Sequence, residues 1–193
     1  MAKKINLYIN PVTGEKLPSV TQILSMIAKP QLMYWYGKHG NDTCKKILEE
    51  SGDFGSKVHS LIEQTIKGQK VTLNGKFTDI IENFKIITSG WEFVEFEKIL
   101  INEKCGYGGT ADAIVQIDGI KALVDFKTSS AIYPEHYLQV AAYMECLPEC
   151  THAYIVHLDK ETNGWEVLEA KTEGLFPVFQ AAQVIYKHLK GGK

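Results

Sequence analysis

Apolar positions recur at two spacings along this chain, and the spacing changes near Trp91. Before that point it is helical. Ile23, Leu24 and Ile27 form a stripe behind Leu17-Pro18-Ser19-Val20-Thr21, where Ser19 is a natural N-cap. Pro30 opens a segment that carries Leu32, Met33, Tyr34, Trp35 and Tyr36 and closes at Lys38-His39-Gly40. Asp53-Phe54-Gly55-Ser56 predicts a helix start with Asp53 as cap. Val58, Leu61, Ile62 and Ile66 share one face of it, and Gly68 ends it. Phe77 to Thr88 is a further amphipathic helix, stopped at Gly90. Upstream, Lys4 to Ile9 reads as a short strand and Asn10 to Gly14 as a turn.

After Trp91 the pattern is that of strands. Trp91 to Ile101 is rich in aromatic and β-branched residues. Ala113–Ile117 and Ile120–Val124 flank Asp118-Gly119, the signature of a hairpin with a two-residue type I′ turn. Pro134 fits the first turn of a helix reaching Leu147. Ala153–Leu158 and Trp165–Glu169 predict strands around Thr162-Asn163-Gly164. A helix from Leu175 to Leu189 closes the chain, with Gly191-Gly192-Lys193 expected to fray. Helices, three strands, a helix, two strands and a helix imply an α/β chain with a mixed sheet covered by helices. The 193 residues suffice for a single domain, mainly helical over 1–90 and a sheet core over 91–193.

The two-residue turn sets the hairpin register. Ile117 faces Ile120 and Asp112 faces Asp125, with Cβ atoms about 4.5–5.5 Å apart. Lys127 projects from the same face as Asp125. Like charges directly opposite destabilise a hairpin, so a cation, a shared proton or a lysine must compensate. Two hard oxygen donors with room for water suit magnesium or manganese. The bland alternative is a solvated hairpin with incidental charges.

Charge narrows the chemistry. The chain is 45% apolar and 23% charged, an ordinary globular balance, and its net charge is −2. No global basic field announces a nucleic acid. All 21 basic residues are lysine, so phosphate contacts would use ammonium groups, backbone amides or a metal. With no leader sequence and no apolar run of about 18 residues, a cytoplasmic protein without membrane contact is expected. Cys44, Cys105, Cys146 and Cys150 lack a CxxC spacing and read as packed thiols. His59 and Glu63 lie four apart on one helix face, with Gly55 a turn earlier leaving room for a close approach. A lone helical histidine is more often structural. Tyr34-Trp35-Tyr36 beside Lys38 would either stack unpaired bases or pack in the core, the commoner outcome. Gln139 and Tyr143 share a face of the helix after the hairpin.

In this order and spacing the motifs resemble the PD-(D/E)XK nuclease superfamily, and within it the RecB-like exonucleases of phage and mitochondrial genome-maintenance type. The matching stretches are Leu17-Pro18-Ser19-Val20-Thr21, Gly55 with His59 and Glu63, Glu97, Gly109-Thr110-Ala111-Asp112, Asp125-Phe126-Lys127, and Gln139 with Tyr143. They span roughly residues 17 to 159. The resemblance implies an αβββαβ restriction-endonuclease-like core and Mg2+- or Mn2+-dependent hydrolysis of phosphodiesters. Asp112, Asp125, the Phe126 carbonyl and His59 would bind metal, Lys127 would position the attacking water, and Glu97 would act through the metal or its waters. Gln139 and Tyr143 would support the site or the nucleic acid strand. Related enzymes with an iron–sulfur cluster carry three clustered late cysteines. Here there are two, Cys146 and Cys150, so no cluster is expected. The resemblance points to an exonuclease acting on single-stranded DNA ends, with replication or recombination proteins of phage or host as partners. A structure-selective endonuclease and an inactive nucleic-acid-binding module are the alternatives.

Overall fold

The computed structural model describes residues 8–190. Residues 4–7 of the expected first strand and Gly191–Lys193 lie outside them. β1 (Tyr8–Ile9) pairs antiparallel with β2 (Lys16–Leu17), a two-residue strand too short to carry a readable period. Asn10 shapes the turn between them, its side chain accepting from the amides of Val12 and Thr13. α1 (Val20–Leu24) begins as expected at Ser19. The Ser19 hydroxyl accepts from Gln22 N at 3.0 Å and the Gln22 side chain accepts from Ser19 N at 2.9 Å, a capping box.

Two helical expectations need correction. α2 (Pro30–His39) carries the aromatic run, yet none of its residues is buried, and Tyr34 is 77% exposed. Five consecutive large apolar residues wrap all sides of a helix, while α2 packs mainly on one neighbour, α3. Most of the run therefore faces outward or into a cavity. α3 (Asn41–Ile66) is one unbroken helix of 26 residues. Asp53 lies in its middle and caps nothing. Gly and Asp cost about 0.5–1 kcal/mol each in a helix, and burial of Cys44, Val58, Leu61 and Ile62 outweighs that. The end is as expected: Gly68, at φ 64°, takes the left-handed position just past α3.

α4 (Lys76–Ile87) leads into β3 (Glu92–Asn102), β4 (Tyr107–Ile117) and β5 (Ile120–Lys127). α5 (Pro134–Met144), β6 (His152–Leu158), β7 (Trp165–Glu169) and α6 (Phe176–Lys190) follow. The five strands lie in the order β3-β4-β5-β6-β7. β5 and β6 run parallel, joined by α5, and the other neighbours are antiparallel. This is the mixed sheet that the element order predicts. β3 is an edge, and Glu92, Glu95 and Glu97 keep it charged and exposed.

Each face of the sheet has its own core. Leu123, Ile114 and Ile155 pack toward α1, α5 and α6 with Val20, Tyr143 and Phe179. Ala122, Val124, Phe126 and Val156 pack toward α3 and α4 with Val58, Leu61 and Phe84. The central strand β5 is thus buried on both sides from Ala122 to Phe126. Its odd positions, Leu123, Asp125 and Lys127, look toward α5. Among the described residues no helix is long and apolar enough to cross a membrane. The four cysteines are free thiols, with Cys44 and Cys150 buried.

Candidate active site

The turn at the hairpin tip has the expected geometry, with Asp118 at φ 50° and Gly119 at φ 81°. The β4–β5 ladder then runs from Ile117↔Ile120 to Ala113↔Val124 and stops. Beyond that pair β4 continues along β3, while β5 continues along β6 as far as Lys127↔His157. The strands fork, and Asp112 and Asp125 stand where the fork opens. The ladder therefore ends one pair short of Asp112 and Asp125. The Phe126 amide, without a strand partner on that side, donates instead to Asp112 Oδ2 at 2.8 Å.

The charge that sequence leaves unbalanced is balanced twice. Lys127 Nζ lies 2.6 Å from Asp125 Oδ2, and His59 Nδ1 lies 3.6 Å from Asp112 Oδ1. Gln139 ties the first pair to α5. Its carbonyl accepts from Lys127 Nζ at 3.1 Å, and its amide donates to Asp125 Oδ1 at 3.1 Å and to the Tyr143 hydroxyl at 3.2 Å. Tyr143 fits because residue 109 is glycine: a Cβ there would meet Tyr143 Cε1 at 2.3 Å. Gly108 is needed likewise, since its Cβ would lie 2.5 Å from Tyr8 Cβ. The glycine pair thus gives two tyrosines close access to β4.

Gly55 has an equally specific reason. A Cβ at that position would meet Thr128 Oγ1 at 2.7 Å. The group that approaches α3 is the loop directly after Lys127, which brings His59 over the fork. The His59 ring meets Phe126 edge-on, with centroids 6.1 Å apart. Glu63, on the same face, pairs with Lys67 at 2.5 Å.

These environments set the titrations. Burial raises the Asp125 carboxyl, Lys127 opposes it and Asp112 adds to it, leaving Asp125 above its usual range. Burial also raises Asp112, but His59, Lys127 and the Phe126 amide outweigh burial and hold it low. For His59, burial favours the neutral ring, and the adjacent Asp112 overcomes it and raises the pKa. Burial, then Asp125 and Asp112, push the Tyr143 hydroxyl up.

Two cavities flank the fork. One, of about 30 Å³, is lined by His59, Glu63, Phe96, Glu97, Asp112 and Phe126 and has room for a water or two. Beside it the apolar positions change sides. Phe96 and its partner Ala113 join the α3–α4 core, whereas Leu100 and Ala111 join the other. Glu97, between them, sits at φ 44°, a left-handed conformation that costs a non-glycine residue of order 1–3 kcal/mol. The other cavity, of about 650 Å³, runs from Lys127, Gln139 and His136 past Lys29 to Met26, Leu32, Met33 and Tyr36. That size suits an organic ligand. The structure thus gathers Asp112, Asp125, Phe126, Lys127, His59, Gln139 and Tyr143, sets Glu97 at the small cavity, and brings Tyr36 to the large one. Tyr34, Trp35 and Lys38 line neither.

His136 escapes the sequence reading. Its Nδ1 accepts from the Tyr133 amide at 3.2 Å, leaving the other nitrogen to carry the proton. Burial, then Lys127, push its pKa down to about 4, so the ring is neutral at pH 7. The sequence signal was its place two residues after Pro134, in the first turn of α5.

Two carboxylates, one with a buried oxygen (Asp125 Oδ2) that meets Lys127 through charge without a directed hydrogen bond, suit a small hard cation that keeps several waters. Among the described residues no three His, Cys, Asp or Glu side chains converge as a ready-made cage. Water or substrate would supply the remaining ligands.

No family model and no curated relative matches the sequence. Among solved structures, SSO0001 superposes with a TM-score of 0.50 at 14% identity, covering 90% of this chain and 76% of that one. The two share a fold. The alkaline exonuclease LHK-Exo from Laribacter hongkongensis gives a TM-score of 0.38 at 17% identity over 71% of this chain and 83% of that chain. Its complex with dAMP gives 0.39 at 17% identity over 89% of each. These two superpositions are too loose to carry residues across.

Proposed function

We propose that this protein is a divalent-metal-dependent nuclease that hydrolyses DNA phosphodiester bonds, acting as an exonuclease on single-stranded ends. The observation that carries the reading is the fork. It places Asp112, Asp125 and Lys127 together, between a cavity of water size and one of about 650 Å³. Asp112 and Asp125 are the metal ligands. Magnesium or manganese, when bound, supplies charge neutralisation at the phosphate and a water of lowered pKa.

The chain's own residues do the rest. Lys127 is aimed by Asp125 and Gln139, and an N–H not taken by Gln139 donates to the attacking water or to a phosphate oxygen. Its charge is preorganised, so it acts where negative charge develops. Gln139 keeps lysine and carboxylate in register, and Tyr143 buttresses Gln139. His59 orients Asp112. Neutral His136 offers a hydrogen bond into the larger cavity without adding charge. α2 and the segment before it wall that cavity with Tyr36 and Met33, which favours a single strand with unstacked bases.

End-labelled linear and circular single-stranded DNA, incubated with magnesium or manganese or with a chelator, tests this directly. Linear DNA should be degraded to short products only with metal, and circles should persist. Rapid cutting of circles would make the enzyme an endonuclease. An inert protein that still binds DNA would make it a binding module.

A further inference from the structure

Lys76 and Lys160 converge on one aromatic ring. Lys76 Nζ sits 4.3 Å from the Phe54 ring centroid and Lys160 Nζ 5.1 Å from it, and Phe54 itself stacks on Phe77 at 5.7 Å. Three features make this costly for the protein alone. Two ammonium groups share one small region and repel. Lys76 lies in the first turn of α4, the positive end of a helix. Burial, then Lys76, pull the Lys160 pKa down.

Local acids do not relieve it. Among the described residues neither lysine has an acidic partner within ion-pair distance. Asp159, next to Lys160, spends its carboxylate on the Glu161 amide and the Thr162 hydroxyl. Asp79 stands one turn along α4 without pairing Lys76. The Phe54 ring offers each ammonium a weak cation–π attraction. It holds the two charges in place and neutralises neither.

The position is as informative as the charge. Phe54 precedes Gly55, whose close contact is Thr128, the residue after Lys127. Lys160 follows the end of β6, where His157 stands opposite Lys127 and contacts the Ser129 carbonyl at 2.8 Å. The lysine pair and the fork therefore lie at one end of the sheet, on either side of the Thr128–Ser129 loop. We propose that Lys76 and Lys160 form a second phosphate site, which holds the backbone of a polynucleotide at a phosphate other than the one being cleaved. The pair positions substrate and takes no part in the chemistry. This inference rests on the nuclease reading.

The test is single-stranded oligonucleotide binding to the full chain in chelator, followed by anisotropy across a salt series, for the parent and Lys76→Gln/Lys160→Gln. Each phosphate contact contributes about 0.7 to the slope of log affinity against log salt. The double variant should show a slope shallower by about 1.4, which makes the parent lose about sevenfold more affinity between 50 and 200 mM salt. Its melting temperature should stay close to the parent's, since a repulsion and two weak cation–π contacts go together. Hydrolysis of a small phosphodiester, bis-p-nitrophenyl phosphate, should be unchanged with metal, because that substrate is too short to reach both sites. A parent that binds and cleaves DNA while the variant keeps the same slope would overturn the second site and leave the nuclease reading standing. A parent with neither binding nor cleavage would overturn both.

Discussion

Asp112 and Asp125 come from adjacent strands of one hairpin, but they have different surroundings. Asp125 lies on a strand covered on both faces and touches Lys127 and Gln139. Asp112 lies where its strand has left the ladder, partly open to solvent, and touches His59 and a backbone amide. The first carboxyl is pushed above its usual range and the second below it. Their pH behaviour follows with opposite signs. Asp125 favours the folded state in acid, and that contribution fades as pH rises through its raised value. Asp112 favours it above its ordinary value of 3.8, and that contribution fades as pH falls through its lowered one. Identical chemistry at opposite positions thus gives one carboxylate held as an anion and one held under strain, the division of labour a metal site exploits.

The largest expected effects concern turnover. Asp112→Asn and Asp125→Asn should each reduce metal-dependent cleavage to background, and Lys127→Ala should lower it by about 10²–10³-fold while keeping most of the metal-induced rise in melting temperature. Retained activity and metal response in both aspartate variants would make the fork merely structural. Next in size is packing at the neighbouring glycine. Gly109→Ala drives a methyl into Tyr143 and should cost about 1–3 kcal/mol, read by denaturant melts, with activity falling as Gln139 loses its buttress. A well-folded, fully active variant would break the link from Tyr143 through Gln139 to Asp125.

The two aspartates should part company in stability without metal. Asp112→Asn loses a favourable ionic contact and should cost about 1 kcal/mol. Asp125→Asn removes a buried charge but leaves the Lys127 ammonium without its partner, and should cost more, about 3 kcal/mol. Equal shifts would erase the contrast. The smallest effect is that of His59. Its raised pKa means that its contribution is complete below its ordinary value of 6.5 and is lost as pH climbs through the higher folded value. Metal-free parent protein should therefore lose stability as pH rises past neutrality. His59→Gln should flatten that slope, as should Asp112→Asn.

Much of this arrangement is legible in the sequence because local rules specify it. Asp118-Gly119 sets the hairpin register, Ser19 and Gln22 close a capping box, and Gln139 and Tyr143 share a helix face four residues apart. What sequence misses is settled by tertiary contacts. Asp53 has the look of a cap, but apolar contacts further along α3 carry the helix straight through it. Trp35 and its neighbours look like core until the helix proves to have one main neighbour. The fork is invisible to a periodicity argument, because the same residues continue as strands on both sides of it. Gly55 announces a close approach, but not that Thr128 makes it. His136 gave no signal beyond its distance from a proline.

The fork also has a spectroscopic consequence. A backbone amide paired across a ladder reports folding and little else, since its partner carbonyl never changes charge. The Phe126 amide is bonded to a carboxylate oxygen, so its resonance should move whenever Asp112 gains a proton or coordinates an ion. A single 1H–15N cross-peak, that of Phe126, would then read out the charge state of Asp112 during a titration, with no dye, substrate or turnover required.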